Sequence, residues 1–121
     1  MRTLDPDRMN AFGGIYAGKT ILLTGQTGFK GSWMSLWLSL LGARVVGIAN
    51  DIPTRPSLFE LADVAGVIDH RVGDVRDLHF LRAVVDEVRP DVVFHLAAQP
   101  LVRRSFAEPL DTLSTNVMGT A

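Results

Sequence analysis

Apolar residues recur along this chain in two different periods, and the switches between them mark out the elements. Lys19 to Thr24 (KTILLT) is an apolar run too short for a helix and followed by glycine, as expected of a strand buried on both faces in a parallel sheet. From Ser32 to Leu41 the period changes. Trp33, Leu36, Trp37, Leu40 and Leu41 fall at helical spacing, which predicts a helix with one apolar face, ended by Gly42. On that pattern Trp33 and Trp37 read as core anchors rather than as a stacking platform. Arg44 to Ala49 (RVVGIA) is a second apolar strand, and Pro53 and Pro56 make Asn50 to Ser57 a loop. Ser57 can cap a short helix through Leu58, Phe59, Leu61 and Ala62. Val67 to Val72 predicts a third strand, closing on Gly73 and Asp74. Asp77 can cap a helix carrying Leu78, Leu81, Val84, Val85 and Val88, which Pro90 stops. Asp91 to Ala98 (DVVFHLAA) predicts a fourth buried strand, then a loop through Pro100 and a last helix from about Pro109.

Strand and helix therefore alternate four times, the pattern of right-handed crossovers in a parallel sheet. The expected fold class is α/β: a partial, doubly wound parallel sheet of Rossmann type with strand order 3-2-1-4. Residues 1–18, with Pro6, Gly13 and Gly14 and no clean period, read as a lead-in open to partial disorder, with room for a short helix near Met9. Residues 19–121 carry the domain.

Composition narrows the function classes. A net charge of −1 gives nucleic acid or an anionic membrane no electrostatic reason to bind. The longest apolar segment is interrupted by Ser35 and Ser39 and falls short of the ~20 residues of a membrane span. With no cysteine, disulfides, thiolate metal sites and a cysteine nucleophile are excluded, which suits the cytoplasm; no residue is assigned to a metal.

Candidate chemistry centres on Thr24 to Gly31 (TGQTGFKG), a glycine turn between a strand and a helix start. Such a turn puts backbone N–H groups and the positive end of a helix in front of a phosphate. Gly25 suits the tight exit from the strand, Gly28 a close backbone approach to pyrophosphate, and Gly31 the packing of helix on strand. Lys30 adds charge at the phosphates or is simply a solvated lysine. Asp51 lies twenty residues after Gly31, where a carboxylate can accept from ribose hydroxyls and would repel a 2′-phosphate, favouring NAD over NADP; the bland alternative is an exposed loop aspartate. Arg55, in the same loop, could instead pair with that extra phosphate. Asp74 and Val75 offer a carboxylate and a backbone N–H to an adenine edge, or Asp74 is a turn residue. Ala97 and Ala98 are small enough to let a cofactor pass over the sheet edge. His95 reads as a hydrogen-bonded core residue. Arg103 and Arg104 could meet an anionic substrate or form a solvated face, and Asn116 could hydrogen-bond cofactor or backbone.

Taken together, TGQTGFKGSWMSLWL, PTRPSLFEL, GDVRD, DVVFHLAAQPLVRRS and TNVMGT resemble the extended short-chain dehydrogenase/reductases and, more narrowly, the N-terminal third of the CDP-glucose 4,6-dehydratase family. The resemblance covers about Lys19 to Ala121. It implies bound NAD, with Gly25, Gly28, Phe29 and Gly31 at the pyrophosphate, Asp74 and Val75 at adenine, and Ala97 and Ala98 beside the ribose and nicotinamide. Thr27, Lys30, Asp51, Leu96 and Asn116 complete the expected cofactor-binding set. It further implies a sugar nucleotide, CDP-glucose, as substrate: oxidation at C4, loss of water across C5 and C6, and return of the hydride to C6.

That family works with a Tyr-x-x-x-Lys pair, and the chain departs from it there. Tyr16 is the single tyrosine, lies ahead of the first strand, and has no lysine four residues on. The expectation is a cofactor-binding portion that lacks the catalytic pair and the sugar-nucleotide domain and is inactive alone. The alternative is a non-enzymatic nucleotide-binding or oligomerising module, because a fourth strand left as an apolar edge invites pairing with another chain and so a homo-oligomer.

Overall fold

The computed structural model describes residues 6–121, so the first five residues of the expected lead-in lie outside it. The rest of the lead-in is ordered against the domain. A helical turn, α1 (Pro6–Met9), and a 3-10 turn (Ala11–Gly14) lead into β1 (Thr20–Thr24). α2 (Phe29–Leu40), β2 (Arg44–Ala49), α3 (Leu58–Leu61), β3 (Asp69–Val72), α4 (Leu78–Val88) and β4 (Val92–His95) follow, then α5 (Val102–Ala107) and α6 (Pro109–Leu113). The four strands are parallel and ordered β3-β2-β1-β4, the order expected of the dinucleotide-binding pattern.

Alternation of side chains along β1 and β2 splits the core between the two faces of the sheet. Ile21, Leu23 and Val45 point to the face covered by α2 and α3, where they join Leu38, Leu41, Phe59 and Ile68. Leu22, Val46 and Ile48 point the other way and pack on Val84 and Val88 of α4. Ser57 and Asp77 cap α3 and α4 as expected, accepting from Glu60 N and Phe80 N.

The helix after the glycine turn is placed correctly by its period, but its expected apolar face is inward only in part: Leu36 and Leu41 pack on the core, while Trp33, Trp37 and Leu40 lie outside. Gly31, Ser32, Ser35 and Leu38 face the sheet, whereas Trp33 and Trp37 are 56% and 55% exposed. The cause is the close approach of α2 to β1, which leaves room only for small side chains along the seam. Ser32 and Ser35 satisfy their buried hydroxyls by donating to the carbonyls of Gln26 (2.8 Å) and Gly31 (2.7 Å). The tryptophan stripe therefore lies outside, where Phe12 of the lead-in packs on Trp37 at a ring distance of 5.5 Å.

Three further expectations are corrected. The third strand starts at Asp69 rather than Val67, because Val64–Gly66 form a 3-10 turn that carries the chain through Val67. The fourth strand ends at His95 and is half-covered: Val92 and Phe94 pack on the α2 side, while Val93, on the opposite face, is 55% exposed. Between Pro100 and Pro109, read as loop, Val102–Ala107 is helical, and α6 continues as a wide π-type turn over Ser114–Met118.

Among the described residues, no helix is long and apolar enough to cross a membrane.

Candidate functional site

At the carboxyl edge of the sheet, the turn after β1, the ends of β2, β3 and β4, and the α5–α6 segment enclose a cleft of about 560 Å³. That size is in the range of small-molecule sites. Gly25, Thr27, Gly28, Phe29, Lys30, Gly31, Asp51, Asp74, Val75, Leu96, Ala97 and Ala98 all line it. Asn116 does not: its amide accepts from Gln99 N (2.7 Å) and donates to Gln99 O (3.1 Å), the backbone alternative of the sequence reading.

Local backbone geometry explains the glycines. Gly25 leaves β1 at φ +84°, where L side chains are strained, and a β-carbon on it would lie 2.8 Å from Ala97 N. Gly31 abuts the Gly25 carbonyl, so that α2 begins directly over the strand end. Its start at Gly28 has no side-chain cap, which leaves the first N–H groups of a 12-residue helix turned to the cleft.

On the β2 side, Thr27 is buried and donates to the carbonyl of Asp51 at 2.6 Å, tying the glycine turn to the loop that carries the carboxylate. Asp51 Oδ1 accepts from Ile52 N at 2.7 Å, a local bond that orients an exposed side chain. Arg55, the possible phosphate partner, pairs instead with Glu60 of α3 at 3.3 Å and does not line the cleft.

On the β3 side, Asp74 is gripped by Arg76, whose Nη2 lies 2.6 Å from Oδ2 and whose backbone N lies 2.9 Å from Oδ1. The same guanidinium reaches Asp111 Oδ1 and Ser114 Oγ, each at 2.9 Å. The side-chain bond from Arg76 holds the Asp74 carboxyl below the usual carboxylate range, against the opposing effect of burial. Val75 beside it is buried. Across the cleft Arg104 pairs with Glu108 (2.9 Å) and Asp111 (3.2 Å), so of the two adjacent arginines it is Arg104 that lines the site.

Thr24 is buried behind the β4 side and holds the strand end that lines the cleft. Its hydroxyl bonds His95 Nδ1 at 2.7 Å and accepts from the N–H groups of Leu96 and Ala97, each at 3.1 Å. His95 is thus hydrogen-bonded as expected, its Nε2 also lying 3.0 Å from Thr120 Oγ1, but it is exposed on the edge strand rather than core. Tyr16 packs edge-on against Phe12 and does not line the cleft. Sequence reasoning missed Thr24, Arg76, Gln99 and Asp111. Only Arg76 carried a signal, as an arginine two residues from a candidate ligand carboxylate.

A parallel 3-2-1-4 sheet with a glycine turn and an uncapped helix start at its carboxyl edge defines a Rossmann-type α/β protein. More narrowly, the chain belongs to the GDP-mannose 4,6 dehydratase family, whose model matches residues 22–121. CDP-glucose 4,6-dehydratase of Salmonella typhimurium is 53% identical over 106 residues, 88% of this chain and 30% of that protein. A UDP-glucose 4-epimerase of Neisseria meningitidis is 36% identical over 104 residues, 84% of this chain and 31% of its own. Among solved structures, the UDP-glucose 4-epimerase of Thermotoga maritima with UDP-glucose matches with a TM-score of 0.73 at 30% identity, over 84% of this chain and 31% of that one. The epimerase of Bifidobacterium longum, in complex with NAD+ and UDP, matches with a TM-score of 0.72 at 28% identity and the same coverage. The chain thus spans about 30% of the length of the curated relatives it matches.

Proposed function

We propose that the chain holds NAD as part of a sugar-nucleotide 4,6-dehydratase acting on CDP-glucose. The observation that carries the reading is the convergence, in one cleft, of an uncapped helix start after β1 with Asp51 after β2 and Asp74 after β3. The donor set fits the cofactor. N–H groups at Phe29 to Gly31 suit a pyrophosphate, and Lys30 adds a cation at the same mouth. Asp51 suits ribose hydroxyls; Asp74 with the Val75 N–H suits an adenine edge; Ala97 and Ala98 leave the strand end open for the ring beyond. When bound, the cofactor would supply reversible hydride transfer with the sugar. The groups on this chain bind, orient and exclude water, and none of them stands where the Tyr-x-x-x-Lys pair would act. Calorimetric titration of the folded chain with NAD and NADP tests the reading: binding of NAD in preference to NADP is expected, and no heat with either would overturn it. With CDP-glucose added, no 4-keto product should form.

A second reading, self-association, is favoured by the exposed Val93 on edge strand β4 and by the outward Trp33 and Trp37. Sedimentation at micromolar concentration should show a dimer or larger species, and a monodisperse monomer would contradict it.

A further inference from the structure

The grip of Arg76 on Asp74 is more elaborate than fastening a loop requires. Nε lies 3.0 Å from Oδ1 and 3.1 Å from Oδ2, Nη2 lies 2.6 Å from Oδ2, and the backbone N of Arg76 lies 2.9 Å from Oδ1. Both carboxylate oxygens are therefore fixed by one planar fork, a geometry that lysine cannot reproduce. The fork is itself immobilised from behind. Its Nη1 donates to Asp111 Oδ1 and Ser114 Oγ, and Asp111 Oδ2 is held in turn by Arg104. An aspartate on a loop would otherwise sample several rotamers, and ordering it would weaken any bond it makes to a ligand.

We propose that Arg76 is a positioning residue that sets the specificity of the cleft for a 6-aminopurine, by presenting Asp74 as a fixed, ionised acceptor for the exocyclic amino group. The proposal rests on the dinucleotide reading above and deepens it. Arg76 keeps Asp74 below the usual carboxylate range, so the carboxyl accepts and does not donate. Val75 supplies an apolar wall that is itself backed: a β-carbon on Gly119, just after the π-type turn, would lie 2.8 Å from Val75 Cγ2. A 6-oxopurine would set a carbonyl oxygen against the Asp74 carboxylate, two acceptors with no proton between them. A merely structural Arg76 would favour neither base.

The test is calorimetric titration of the full chain with NAD and with the dinucleotide in which hypoxanthine replaces adenine. The wild-type chain should bind NAD about tenfold more tightly, the scale of one net hydrogen bond. Arg76→Gln and Arg76→Lys should each narrow that ratio to about twofold, chiefly by weakening NAD. Asp111→Ala, which removes the rear anchor and also releases Arg104, should give an intermediate ratio and covers the case in which the Arg76 variants do not fold. Parallel loss for both dinucleotides, with the ratio kept, would overturn the positioning role, as would equal wild-type affinity for the two. Binding of neither by folded wild-type chain would overturn the dinucleotide reading itself and this role with it.

Discussion

Gly31 sits so close to the carbonyl of Gly25 that a β-carbon at position 31 would overlap that carbonyl group. The neighbour is backbone and cannot swing aside, so Gly31→Ala must push α2 off the end of β1. The expected cost is about 2–3 kcal/mol of stability, read as a fall in the denaturant midpoint. Gly28 is the contrast. A β-carbon there meets the same carbonyl at 3.5 Å, an ordinary contact. Gly28→Ala should change stability by less than about 0.5 kcal/mol, yet weaken NAD binding, because the added methyl stands at the cleft wall. Equal stability losses in the two variants would show that the glycines serve one purpose.

Asp51 should decide between the two nicotinamide cofactors. With Arg55 paired to Glu60, no arginine of that loop lines the cleft. Asp51→Asn removes the charge that repels a 2′-phosphate. Affinity for NADP should then rise about tenfold while NAD weakens severalfold. Unchanged NADP binding would place the ribose elsewhere.

Gln26 shows a cost unrelated to the cleft. Its side chain is fully buried against Gly47; Nε2 bonds His70 Nδ1 at 3.0 Å, and Oε1 has no partner among the described residues. A buried unpaired acceptor costs about 1–3 kcal/mol. Gln26→Met keeps the volume and removes that cost, and the half-buried His70 can turn its nitrogen to water. Thermal unfolding should show a gain of about 1 kcal/mol, with NAD affinity unaltered because Gln26 does not line the cleft.

Acid stability follows from the arginine pairs. Bonds from Arg76 hold Asp74 below the usual carboxylate range, and bonds from Arg71 do the same for Asp69 and Glu87. Carboxyls depressed in the folded state contribute stability that is complete above their unfolded values, about pH 4, and is lost as pH falls through the folded ones. A series of unfolding curves from pH 6 downward, taken at about one-unit steps, should show that loss in the wild-type chain. Arg76→Gln, which releases Asp74, should make the decline shallower, whereas an unchanged decline would mean that the pair is not formed in solution.

The sheet was legible because β1, β2 and the start of β4 are apolar runs and the dinucleotide-binding pattern supplies their order, and so was the glycine turn, whose spacing is a backbone requirement. Trp33 and Trp37 misled because helical period locates a stripe but not the side on which it lies; that depends on how closely α2 approaches β1, a contact set by Gly25 and Gly31. Thr24 and Arg76 escaped notice because their partners, His95 and Asp111, are brought near only by folding. Asn116 looked available until Gln99, seventeen residues before it, occupied both ends of its amide.

On the proposed reading, the uncapped start of α2 receives the pyrophosphate of NAD. Titrating NAD into the ¹⁵N-labelled chain and following ¹H–¹⁵N correlation spectra tests it residue by residue. The largest saturable shifts should fall on the amides of Phe29, Lys30 and Gly31, with smaller ones at Asp51 and Val75. A dispersed, folded spectrum that does not move, or that moves only at residues away from this cleft, would contradict it.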